Sequence, residues 1–189
     1  MKKVVLVSIT LLCLTVLKTK AQSSGSAGTY QVGTNVISAG IGLGSSLITG
    51  GYGSSTPGIS LQYERGVWEA GPGIISLGGY IGYKGYSYSN PDYSSKWNYT
   101  IIGFRGAYHL TGIEVENLDV YGGLMLAFDN LSYSETNYNG YAYSGSSYGS
   151  GVGLTAFVGA KYYFAGNLGA FAELGYGVSY LSIGLSYKF

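Results

Sequence analysis

The chain has little of what most active-site chemistry needs: of 189 residues, one is cysteine (Cys13), one is histidine (His109) and three are proline. Cys13 lies inside an apolar run between Leu12 and Leu14. A lipidated cysteine follows a small residue and ends such a run, so Cys13 is not read as an attachment site. Beyond it there is no disulfide or thiol chemistry. One histidine excludes a multi-histidine metal site. A Ser-His-Asp triad would have to use His109, which the strand register puts near Asp119, away from the long loops. No catalytic residue, metal or cofactor is assigned. Charge is scarce as well, at 10% of residues. Four of the ten basic residues (Lys2, Lys3, Lys18, Lys20) belong to the first 21 positions, which leaves six basic against nine acidic residues, a net of −3. That balance provides no footprint for nucleic acid. After residue 21 no apolar run approaches the roughly 20 residues of a membrane helix.

The beginning of the chain has another signature. Lys2 and Lys3 precede an apolar stretch from Val4 to Leu17, followed by Lys18, Thr19, Lys20 and Ala21. This predicts a secretory signal peptide over residues 1–21, cleaved after Ala21. Residues 22–32, rich in Ser and Gly, are expected to form a flexible leader. The remainder, 33–189, is expected to be one domain. The chain's 33 glycines and 21 tyrosines suit neither a water-soluble globule nor a disordered tail. They suit a sheet with lipid on one side.

Period-2 alternation over segments of about ten residues supports that reading. Leu181, Ile183, Leu185, Tyr187 and Phe189 share one face of the last segment, with Tyr180, Ser182, Gly184, Ser186 and Lys188 on the other. The same rule marks segments 33–44, 58–68, 73–86, 97–110, 119–131, 151–164 and 168–176. With one exception, Arg65, their charges fall on the less apolar face. Lipid-facing strands cannot leave an open edge in hydrocarbon, because each unpaired backbone group there costs several kcal/mol. The expected fold is therefore all-β, a closed antiparallel eight-stranded transmembrane β-barrel. Connections at 45–57, 87–96 and 132–150 read as long external loops, while 69–72 and 165–167 read as short turns. That asymmetry puts both mature termini in the periplasm.

Several phrases carry a resemblance. The ending GLSYKF at 184–189, with Leu185, Tyr187 and the terminal Phe189, looks like the signal by which barrel assembly machinery recognises its clients. Together with YERGV at 63–67, RGAYH at 105–109, VYGG at 120–123 and AELGYG at 172–177, it resembles the small outer-membrane β-barrel domain family common in Bacteroidetes. That family is similar in architecture to OmpX and OmpA-type eight-stranded barrels. The resemblance implies residence in the bacterial cell outer membrane and contact with its lipid. It implies no shared reaction.

Two groups of residues are candidates for function. Counted from the terminal ends of their strands, Glu64, Arg105, Lys161 and Glu173 are expected at a similar depth, as a luminal charge network. Charges inside a narrow barrel must be paired, and the same layer could gate small ions. Lys84 and Asp129 are expected near the external rim as polar lining. The second group is Tyr133, Tyr138, Tyr141, Tyr143 and Tyr148, which alternate with Ser, Gly and Asn over 132–150. Such residues suit any exposed loop above an aromatic girdle; rigid aromatic area among adaptable polar groups is also the composition of binding paratopes, which makes an unidentified extracellular ligand a candidate partner. Tyr80, Tyr121, Phe157 and Tyr180 are expected to fill the lumen. The expected role is structural or surface-interacting, with a narrow pore as the alternative and no enzyme.

Overall fold

In an extended chain successive side chains point to opposite faces, so each alternating segment has one apolar and one polar face. The computed structural model describes residues 29–44, 54–89, 93–111, 113–137 and 142–189. The expected signal peptide, residues 22–28 of the leader, and Tyr138 and Tyr141 lie outside them. The strands are β1 (Asn35–Leu43), β2 (Ser54–Ser55), β3 (Gly58–Ala70), β4 (Gly73–Ser89), β5 (Tyr93–Leu110), β6 (Leu118–Asn137), β7 (Ala142–Ala165), β8 (Leu168–Gly175) and β9 (Leu181–Lys188). No helix occurs among the described residues.

Eight of these strands form a closed antiparallel ring, β1-β3-β4-β5-β6-β7-β8-β9 and back to β1. The two-residue β2 adds only to the margin of β4, with Ser54 opposite Ser87. Register partners followed from Ile41 through Ile59, Tyr83, Thr100 and Asn130 lead to Ser150. Followed the other way, through Ile183 and Ala172, they lead to Ala160. The offset between positions 150 and 160 is the shear of the barrel, and closure with such a stagger tilts strands by about 40°.

The two faces are those of a barrel in lipid. Ile59, Leu61, Ile102, Phe104, Leu126 and Leu174 point outward and are exposed, while Gln62, Glu64, Arg105 and Lys161 point inward and are buried. This inverts the arrangement of a soluble barrel and is the pattern of a membrane one. Arg65, the exception to the charge rule, is exposed and donates to Asn35 Oδ1 at 3.3 Å.

Three expectations need correction. The stretches 87–96 and 132–150 are not simply loops. β4 continues to Ser89, β5 starts at Tyr93, β6 reaches Asn137 and β7 starts at Ala142, in register at Tyr86 with Trp97 and at Tyr133 with Gly145. The short strands β8, β9 and β1 end far below, so the barrel has a tall end and, opposite it, a terminal end near Asn35 and Lys188. Tyr180 does not fill the lumen. The alternation of β9 begins only at Leu181, and the bend over 176–180 turns Val178 and Ser179 inward while Tyr180 is 40% exposed. Val178 N–H donates to the Tyr80 hydroxyl at 3.2 Å, which fixes the bend against β4. Lastly, the leader is not free up to residue 32, because Tyr30 is inside the barrel, only 2% exposed.

Candidate functional site

The lumen is organised in layers, and the middle one is ionic. Period-2 alternation aims Glu64 of β3, Arg105 of β5, Lys161 of β7 and Glu173 of β8 at the axis, and the structure brings all four together. Arg105 Nη2 lies 2.7 Å from Glu173 Oε2 and Nη1 lies 3.2 Å from Oε1, a bidentate pair. Arg105 Nε is 3.0 Å from Glu64 Oε1, and Lys161 Nζ pairs with Glu64 Oε2. Tyr121 donates to Glu173 Oε2 at 2.9 Å and Gln62 Nε2 to Oε1 at 3.4 Å. The Arg105 guanidinium also lies 3.8 Å from the Phe157 ring centroid, and Lys161 Nζ 3.9 Å from that of Tyr121. Two positive and two negative groups so compensate each other, which burial of charge requires.

Glycines open the ladder for these contacts. Gly78 stands in β4 between Glu64 and Arg105, and Gly159 in β7 between Tyr121 and Glu173. With no Cβ at either place, the flanking side chains lean across the intervening strand and meet. On the tall side the layer ends in a recess of about 10 Å³, lined by Tyr80, Phe157, Tyr176 and Ser179 among others, room for about one water. The lumen is filled at this level.

Nearer the terminal end is a second layer that sequence reasoning finds only in part. His109 Nδ1 lies 2.8 Å from Asp119 Oδ1, as their expected proximity implies, and Nε2 lies 2.9 Å from Ser76 Oγ. Tyr30 stacks flat on the imidazole, with centroids 3.7 Å apart and planes 5° apart. The strap that holds it is fastened by Gly33 N–H to the Gly66 carbonyl at 2.9 Å, Gly66 N–H to the Thr34 carbonyl at 2.9 Å, and Lys188 Nζ to the Thr29 carbonyl at 3.2 Å. Burial, together with Glu64 and Asp119 nearby, keeps the Tyr30 phenol well above the ordinary tyrosine range, so it remains uncharged. The order Ser76–His109–Asp119 is that of a nucleophile relay. However, Ser76 is fully buried, and its strand is paired on both sides, to Gly66 and to Ala107. No acyl group has room to approach. Tyr30→Ala should lower barrel stability by about 2 kcal/mol and make residues 29–34 cleavable, read from urea midpoints and limited proteolysis. The heat-modifiable band of the closed barrel should persist.

The remaining candidates are spread over the molecule. Leu185 and Tyr187 point outward, and Phe189 stacks on Tyr187 with ring centroids 6.2 Å apart. The Phe189 backbone pairs with Asn35 at 2.9 and 3.0 Å, so the last residue closes the seam between β9 and β1. Lys84 is buried near the end of β1, where Nζ donates to the Gly44 carbonyl at 3.4 Å. Asp129 is half-buried on β6. Tyr133 is on the inner face of β6, within 3.4 Å of Ser95 Oγ. Tyr143 and Tyr148 are in β7, but their side chains lie outside what is described.

No family model and no curated protein matches this sequence. Among solved structures, the chain is similar to Ail, the attachment invasion locus protein of Yersinia pestis, in complex with the heparin analogue sucrose octasulfate. Identity is 14% and the TM-score 0.51, over 84% of this chain and 100% of that one. A second Ail structure matches at 13% identity and a TM-score of 0.47 over the same shares of each chain. Ail is an outer-membrane β-barrel. The fold here is that of an outer-membrane barrel. At this identity the likeness concerns architecture, and the narrower Bacteroidetes resemblance rests on its sequence phrases alone.

Proposed function

We propose that this chain is an integral protein of the bacterial outer membrane whose working surface is its tall end, turned outward, with both termini in the periplasm. The observation that carries this is the contrast between the two parts of the barrel. The lumen is blocked by the Glu64–Arg105–Lys161–Glu173 layer and again by Tyr30 on His109. Strands β4 to β7 meanwhile continue well past the ends of β8, β9 and β1. A sealed lumen leaves the protruding sheet as what the barrel offers to its surroundings. The membrane position is supported by the outward apolar belt and by the architecture shared with Ail. We read the role as structural or surface-interacting, a reading supported by the enclosure of Ser76 and His109, which leaves their relay without an approach for substrate.

The test combines topology with conductance. Proteinase K applied to intact cells producing the full chain should cut between residues 132 and 150 and leave the barrel protected. The refolded protein in a planar bilayer should show no steady open channel. Cleavage from the periplasmic side only would reverse the orientation. Steady conductance changed by Glu173→Gln would establish a narrow pore gated by the charge network instead.

A further inference from the structure

The inner face of the tall end carries a feature that neither the belt nor the filled lumen accounts for. Tyr86 of β4, Trp97 of β5 and Tyr133 of β6 are direct cross-strand partners. They continue the inward parity of Lys84 and of Ile101 and Asp129, so the row is on the concave side, two residues beyond Lys84. Ring centroids are 5.3 Å apart from Tyr86 to Trp97 and 5.2 Å from Trp97 to Tyr133, with planes tilted by 53° and 43°. All three rings are half-buried. An aromatic girdle at the lipid interface points outward; this row points across the barrel mouth. Lys84, one layer below, already reaches the carbonyl of Gly44 just past the end of β1. Among the described residues, therefore, no strand of the short side stands opposite the row.

We infer that this row is a binding platform for a neutral oligosaccharide chain, which rests on the outward-facing reading proposed above and names its ligand class. The apolar faces of sugar rings stack on aromatic side chains. The step between neighbouring rings is close to the length of one hexopyranose in an extended chain, so consecutive sugars would meet Tyr86, Trp97 and Tyr133 in turn. The progressive tilt of the rings follows the twist of the sheet and suits a chain that twists with it. Polar groups adjoin the row and fix its last ring: the Tyr133 hydroxyl donates to Glu135 Oε2 and lies 3.4 Å from the buried Ser95 Oγ, while buried Lys84 is on the rung below. Charge selects against polyanions. Among the described residues, Lys84 and Lys96 of the tall end are balanced by Asp129 and Glu135, a poor match for the sulfated sugar held by Ail. Width selects against a folded protein. Eight strands enclose an interior that side chains nearly fill, so what enters the mouth must be about one sugar wide.

The chain's two tryptophans allow a direct measurement. Trp68 is exposed on the outer face towards the terminal end, so Trp68→Phe leaves Trp97 as the reporter. The full mature chain is refolded in a sugar-free zwitterionic detergent and titrated with cellohexaose, maltohexaose and mannohexaose, and with sucrose octasulfate. The expected result is a saturable change in Trp97 emission with at least one neutral hexasaccharide and none with the sulfated sugar. Tyr86→Ala and Tyr133→Ala should each weaken that binding by about tenfold, with the heat-modifiable band unchanged. Silence towards all three neutral sugars, a response to sucrose octasulfate alone, or affinity indifferent to both tyrosine variants overturns the inference. Vesicles bearing the chain are tested in parallel on a neutral-glycan array and on protein-coated surfaces. Attachment to protein alone sinks the glycan platform and leaves the surface-interaction reading standing; attachment to neither removes both.

Discussion

Arg105→Ala should cost the barrel about 3–5 kcal/mol, the loss expected when one partner of a buried ion network is removed. The reason lies in what stays behind. Glu173 would retain only the Tyr121 hydroxyl and the Gln62 amide, and Glu64 only Lys161. A layer with two charges of each sign becomes one with two carboxylates and a single ammonium, enclosed where water reaches poorly. The Phe157 ring also loses the guanidinium stacked on it. Lysine is a poor substitute, since one ammonium cannot reproduce both the bidentate pair with Glu173 and the contact from Nε to Glu64. The measurement is the urea midpoint of unfolding in detergent, followed by far-UV circular dichroism. Glu173→Gln in the Arg105→Ala background should restore part of the loss by removing the stranded charge, making the pair strongly non-additive. A change of less than about 0.5 kcal/mol for Arg105→Ala, the size of an ordinary surface substitution, would mean that the layer is solvated and that the lumen is open at this level.

That the four charges share a layer is legible in the sequence, and the reason is physical. Within the apolar belt, lipid on one side forces strict alternation, so the inward set can be read from Ile59 and Leu61 against Gln62 and Glu64, or from Ile102 and Phe104 against Arg105. Depth then follows from counting residues along tilted strands. Above the belt the constraint disappears. In the extensions Tyr93–Thr100 and Ser132–Asn137 polar residues occupy both faces, Ser94 and Asn98 on one and Ser95 and Glu135 on the other, so paired strands resemble loops in composition. The row of Tyr86, Trp97 and Tyr133 is illegible for that reason: it exists only once β4, β5 and β6 are in register. Tyr30 has no local signal at all. A lone tyrosine among Ser and Gly is unremarkable until β4, β5 and β6 bring Ser76, His109 and Asp119 together beneath it. Tyr180 is misplaced by alternation carried one residue beyond the start of β9, into a bend where parity has no meaning.

Gly78→Ala should prevent recovery of the folded barrel, the largest effect expected of any single methyl group here. Gly78 is inward-facing on β4 and pairs with Glu64 on one side and Arg105 on the other. A Cβ at this position would overlap the Tyr63 carbonyl oxygen and lie 2.9 Å from Glu64 Cα. These are backbone atoms of the adjoining strand, and relief would require β3 and β4 to part where both must also seal the membrane. Glycine inside a strand commonly marks such a close approach of backbones. The methyl would also stand in the gap through which Arg105 reaches Glu64, so the ionic layer would be lost along with the ladder. The neighbouring glycine provides the control. A Cβ on Gly79 meets only the Gly103 carbonyl oxygen, at 3.9 Å, an ordinary contact, and that position faces outward. Gly79→Ala should therefore refold with the heat-modifiable band of the parent chain, while Gly78→Ala runs only as the unfolded species and stays soluble only in denaturant. Equal refolding of the two variants would show that β3 and β4 are looser at Gly78 than the register allows, and the account of how Arg105 crosses β4 would fail with it.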